Sequence, residues 1–147
     1  MITGLLTLTV AALFTGAAFY VGFAEHPARS GLDDRPQLQQ WKPAYERGTI
    51  MQGSLAVLGF LLGLAAWWQT RDELWLAGAV VLVMNWPYTM LVIMPVNNRL
   101  KEIPLDDAGE ESHGLLRRWG RLHDRRTMLG AMATLLYLWA AATPASP

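Results

Sequence analysis

Charge in this 147-residue chain is gathered into clusters: long windows hold no charged side chain, and the windows between them are dense with Arg, Asp and Glu. A helix crosses a hydrocarbon core of about 30 Å with roughly 20 mainly apolar residues, each adding about 1.5 Å. Three windows meet this requirement without a single charge: Ile2 to Ala24, Ile50 to Trp68, and Leu74 to Met94. A fourth, Thr127 to Ala142, is shorter. It is extended by the segment before it, where Leu115, Leu116, Trp119 and Leu122 recur at helical spacing among several Arg, the pattern of an amphipathic helix at the interface. A cleaved signal peptide would begin with basic residues and carry a shorter apolar run, so the first window reads as a span. The expected architecture is all-α: an integral membrane four-helix bundle, residues 1–147 forming a single transmembrane domain, with interfacial amphipathic helices in the first and third connections.

The connections carry their own signals. Between the first two spans, Asp33 or Asp34 can cap a helix entered through Pro36, and Leu38, Trp41, Tyr45 and Gly48 then share one face. This predicts an interfacial helix feeding directly into the second span. The turn from Gln69 to Glu73 is short, which makes the second and third spans antiparallel neighbours. Pro95 to about Ser112, with Pro104 and a run of Asp and Glu, reads as the most loop-like part of the chain.

Eleven of the twelve Lys and Arg lie in the first and third connections, and Arg71 stands alone in the second. Positively charged short loops stay inside, so both large connections are expected in the cytoplasm and both termini outside, in a bacterial inner membrane. With a net charge of zero and no cysteine, bulk charge points to no nucleic-acid partner, and disulfides and Cys-based metal or redox centres are excluded. Small residues four apart (Gly59 with Gly63, Ala12 with Gly16, Ala18 with Gly22) suit close packing of spans, within one molecule before a dimer. They leave the oligomeric state open.

Alternating spans bring four span ends to one side of the membrane, and the polar residues cluster there. Glu25 and His26 follow the first span, Gln52 opens the second, Asn97 and Asn98 follow the third, and His123, Asp124 and Arg126 precede the fourth. A histidine beside a carboxylate can act as a general base or bind a metal, the carboxylate orienting the ring. Charged residues at span ends also simply face water, and for any one of them that reading competes. Deeper in, Asn85 near the midplane should face the bundle interior, because an unpaired amide in lipid costs a few kcal/mol. Pro87 removes the backbone bond to Val83, so Asn85, Tyr88 and Thr89 line either a cavity or a kink packed by the adjacent span. Trp119, His123, Arg126 and Gly130 share one helical face that can meet His26 and Glu25 across the bundle. His26, His123 and Glu25 together would suit iron, copper or zinc, although no tight metal motif is present. His113, in the acidic loop, reads as solvated.

The run Trp86-Pro87-Tyr88-Thr89-Met90-Leu91-Val92-Ile93-Met94-Pro95-Val96-Asn97-Asn98-Arg99-Leu100 resembles a family of small four-span membrane proteins that includes the anthrone oxygenases of aromatic polyketide pathways. Pro95-x-Asn97-x-x-Leu100 and Trp119-x-x-x-His123-x-x-Arg126 look like its two signatures, and His26-Pro27 and Trp41 are compatible with it. The similarity covers nearly the whole chain in layout, while the specific motifs occupy these short stretches. The resemblance implies oxygenation of an anthrone-type carbon to a quinone.

The expected function is therefore an oxidoreductase acting on a small hydrophobic aromatic substrate from the cytoplasmic face of the bilayer. His123 or His26 would abstract a proton or bind a metal, with Glu25 as partner. Asn97, Asn98 and Arg126 would position substrate or stabilise an oxyanion, and Asn85, Tyr88, Trp119 and Gln52 would shape the pocket. The cofactor is open between a transition metal such as Fe or Cu and none. A competing reading is a non-catalytic membrane protein that binds a lipid or a partner protein, its Arg-rich segment before the fourth span meeting anionic headgroups. A transporter subunit is disfavoured, because no charged residue lies within a span.

Overall fold

The computed structural model describes residues 2–143, and within them the chain is four long helical rods with no strand. The first rod is α1 (Ile2–Tyr20), a π-helical turn (Val21–Glu25) and α2 (His26–Ser30); the second is α3 (Asp34–Thr70). The third comprises α4 (Glu73–Val83), α5 (Asn85–Tyr88), a second π-helical turn (Thr89–Ile93) and α6 (Met94–Glu102). After a 3-10 turn (Leu105–Asp107), α7 (Glu110–Ala142) completes the bundle. The rods Ile2–Ser30, Asp34–Thr70 and Glu73–Glu102 are long and apolar enough to cross a membrane. α7 does not reach that standard, because its charge-free stretch from Thr127 to Ala142 is shorter than a span.

Packing fixes the order round the bundle as α1, α3, α4, α7, with α1 and α4 each lying against both α3 and α7. Two core clusters result. One, at the end of the second connection, gathers Phe14, Trp75, Leu82 and Tyr137, with the Tyr137 hydroxyl donating to the Gly59 carbonyl at 3.1 Å. The other, at the opposite end, gathers Leu38, Trp41, Ile93, Leu100, Leu116 and Trp119. Gly59 lies against Leu82, and Gly63 against Tyr137 and Ala79, so this small-residue pair serves packing within the molecule.

The first connection follows the sequence expectation: Asp33 is the extended residue before α3, although its side chain makes no capping bond, and the helix then runs unbroken into the second apolar window. At the second connection Asp72 caps α4, accepting from the Leu74 amide at 2.9 Å. The third connection departs from expectation. The sequence reads Pro95 as opening a loop, but Pro95 lies near the start of α6, which continues directly from the preceding π-helical turn. Irregular chain is confined to residues 103–109, closed by Arg35 on Asp106 at 3.0 Å and by Lys42 Nζ donating to the Ile103 carbonyl at 2.7 Å. His113 is part-exposed, with its Nδ1 3.3 Å from Asp34 Oδ1.

Candidate functional site

The two π-helical turns face each other across the bundle, and each precedes a proline at the same offset. In the first, the His26 amide donates to the Val21 carbonyl and Pro27 follows; in the second, the Met94 amide donates to the Thr89 carbonyl and Pro95 follows. A proline ring collides with the carbonyl four residues back, here Phe23 and Leu91, and widening the turn by one residue relieves that collision. The extra residue pushes the wall of each rod outward. Val21, Glu25, Thr89 and Ile93, all from these turns, line a cavity of about 400 Å³. Trp41, Tyr45 and Gln52 of α3, Asn97 of α6 and Trp119, His123 and Arg126 of α7 complete much of its wall.

His123 is held from one side only. It is buried, and its Nε2 donates to the Ala18 carbonyl at 3.0 Å. A carbonyl can only accept, so the neutral ring carries its proton on Nε2 and keeps the lone pair on Nδ1. The ring stacks on Trp119 at 5.0 Å with an interplanar angle of 15°. Gly22 permits this approach of α7 to α1, since a Cβ there would come within 3.0 Å of Asp124 Oδ1. His26 also lies against Trp119, 5.6 Å from its ring, and occupies the space that a side chain on Gly120 would need. It does not line the cavity, and its buried Nδ1 has no partner.

Glu25 takes its hydrogen bonds from other partners than the histidines: it accepts from Arg29 Nη2 and from Gln40 Nε2 at 3.2 Å, while Arg29 Nε donates to Gln40. Arg29, which the sequence offers only as a topology cation, is buried and lies 5.7 Å over the Trp119 ring. Its spacing of four from Glu25 on one helix is the signal that could have identified it. For the trio His26, His123 and Glu25 as a metal site, the carboxylate is already held by Arg29 and Gln40, and no group of three or more His, Cys, Asp or Glu converges among the described residues.

Arg126 is half-buried between this cavity and a smaller one of about 150 Å³ that holds Asn85, Trp86 and Thr89. Among the described residues it pairs with no carboxylate, and its Nε is buried without a partner. Asn85 faces the interior as expected, donating from Nδ2 to the Leu82 carbonyl at 3.1 Å. Gln52 and Asn97 are buried on the main cavity, each with an unpartnered side-chain oxygen. Tyr88 lies behind the wall, its hydroxyl 3.5 Å from the Leu122 carbonyl, and Asn98 is exposed outside the cavity. Of nine buried side-chain N and O atoms without a partner among the described residues, six belong to residues that line this cavity: Arg29, Trp41, Gln52, Thr89, Asn97 and Arg126. Each such atom costs about 1–3 kcal/mol while unpaired, and native proteins tolerate few of them without a reason.

Fold and site together define an all-helical bundle of apolar rods of membrane-crossing length, enclosing at one end an aromatic-walled, cation-bearing cavity of small-molecule size. The chain belongs to the anthrone oxygenase family, whose model matches residues 41–136. It is similar to an anthrone oxygenase of the fungus Claviceps purpurea (strain 20.1), at 27% identity over 130 residues that cover 78% of this chain and 74% of that protein. No solved structure matches it. The family match takes in Gln52, Asn97, Trp119, His123 and Arg126, while Glu25, His26 and Arg29 lie before it.

Proposed function

We propose that this protein is a membrane-embedded oxygenase that converts the activated methylene of an anthrone-type aromatic ketone to a carbonyl, giving a quinone. The carrying observation is the concentration of unpartnered buried polar atoms around an aromatic cavity in which His123 keeps Nδ1 free and Arg126 has no counter-ion among the described residues. Family membership supplies the reaction class.

His123 Nδ1 takes a proton from the substrate methylene, and the electron pair left behind delocalises through the ring system onto the ketone oxygen. Arg126 and the Asn97 amide are the donors placed to meet that oxyanion, which is more anionic than the neutral ketone oxygen. Dioxygen then accepts the electrons at the former methylene carbon: one oxygen atom stays as the new carbonyl, and the other leaves as water with the two methylene hydrogens. Trp41, Tyr45 and Trp119 offer flat surfaces for a polycyclic substrate. His26, off the cavity, acts by bracing Trp119.

The same reading carries α7 across the bilayer with the other rods, with the cavity end at the cytoplasmic surface. An anthrone given to the purified protein in detergent should be consumed with uptake of one dioxygen per quinone formed. His123→Ala should lower the rate by about 10²–10⁴-fold, the usual loss when a positioned base is removed. An inert parent protein, or a variant as active as the parent, would sink the proposal.

A further inference from the structure

The outer face of α7 is not used by the cavity. Arg117, Arg118, Arg121 and Arg125 are all exposed there, and at 3.6 residues per turn they fall within about 100° of the helix circumference. That arc lies opposite Leu116, Trp119 and His123, which face the core. None of the four pairs with a carboxylate among the described residues, although Arg35 and Arg99 nearby both do. Cations that only set topology can sit on any face near a span end. These four share one.

The chemistry of the partner is set by the residues next along that face. Met128, Met132, Leu135 and Trp139 continue the stripe, exposed by 70%, 47%, 65% and 63%. Within one turn the surface changes from guanidinium to hydrocarbon, which is the profile of a bilayer from headgroup to acyl chain. Beside Arg118, a groove of about 320 Å³ between α6 and α7 is walled by Leu91, Val92, Pro95, Val96 and Leu115, room for an acyl chain next to the charge. A soluble acidic protein would match the arginines but not the apolar continuation. We propose that this face of α7 is a binding site for anionic phospholipids, the arginine forks engaging the phosphates bidentately and the groove seating a chain.

The test uses the full-length protein reconstituted in bilayers of equal phosphatidylglycerol and phosphatidylcholine, then extracted gently, with retained lipid counted by native mass spectrometry. Phosphatidylglycerol should be retained in preference, by about fivefold for each arginine engaged. The preference should fall to parity in R117Q/R118Q/R121Q/R125Q, and in the parent at about 0.5 M salt, where charge attraction at an exposed surface is screened. If the fourfold variant fails to fold, Arg121→Gln alone and the salt series on the parent still decide. A parent that retains both lipids equally, or a preference that survives both neutralisation and salt, overturns the proposal.

Discussion

His123 and Arg126 stand three residues apart on α7 and are treated differently by their surroundings. His123 has one nitrogen fixed by the Ala18 carbonyl, which sets its tautomer, whereas Arg126 is half-buried with no carboxylate among the described residues to balance it. A permanently charged guanidinium kept without a counter-ion is a stability cost, so its presence suits an anion that comes and goes. Arg126→Gln should therefore lower kcat/KM for an anthrone by about 10²–10³-fold, the scale of losing one oxyanion donor, while leaving the melting temperature equal or higher. Steady-state kinetics beside a thermal melt check both halves, and a variant with parental kcat/KM would remove Arg126 from the site. Much of this was legible: Glu25, Gln52, Asn97, His123 and Arg126 all stand at span ends that alternating topology brings together. Arg29 was not, because a cation next to a span end has the same sequence signature whether it is solvated or buried on a carboxylate one turn away. The pairing of Glu25 with Arg29 follows from helix geometry, in which positions four apart share a face.

Among the elements, the spans announce themselves through hydropathy, but the π-helical turns do not. Residues 21–25 and 89–93 are as apolar as ordinary helix would be, and the widening shows only through the prolines at 27 and 95. Pro87 drew attention as the kink, and the helix does break at Met84, just before it; the wider distortion that shapes the cavity belongs to Pro95. The acidic stretch before α7 was readable as polar but not as ordered, since its order comes from long-range pairs. Arg99 grips Glu111 through two bonds of 2.6 and 3.0 Å, tying α6 to the first turn of α7. The Arg99 hydrogen bond holds the Glu111 carboxyl below the ordinary glutamate value of 4.5. A group with a depressed folded pKa stabilises above its unfolded pKa, and that contribution is lost as pH falls through the folded one. Residues 103–112 should thus exchange amide hydrogens faster on acidification below about pH 4.5, and Glu111→Gln should exchange at the faster rate already at neutral pH. Equal exchange in parent and variant across that range would show that the pair holds nothing in place.

At the level of the whole molecule, the proposed pocket exists only if its contributors emerge on one side of a bilayer. The rods are longer than they need to be for crossing: α3 has 37 residues and α7 has 33, so each runs about 50 Å or more against a core of about 30 Å. The surplus lies at the same end in both, where α3 before Gly48 and α7 before Thr127 are polar on one face and carry Trp41 and Trp119 on the other. That end also holds α2, α6 and the 3-10 turn, so the cavity lies where the polar ends of α3 and α7 meet the apolar bundle, its wall drawing on Val21, Gln52 and Thr89 from the three apolar windows. Because the chain has no cysteine, single substitutions report their location cleanly. Ser30→Cys and Asp107→Cys, both exposed at the cap, should be labelled by a membrane-impermeant maleimide only when the cytoplasmic side is accessible, and Gln69→Cys, exposed at the far end of α3, only from outside. If Ser30 and Gln69 reacted from the same side, α3 would not cross, and the four rods would instead have to lie along the surface, with the cavity opening to lipid and not to the cytoplasm.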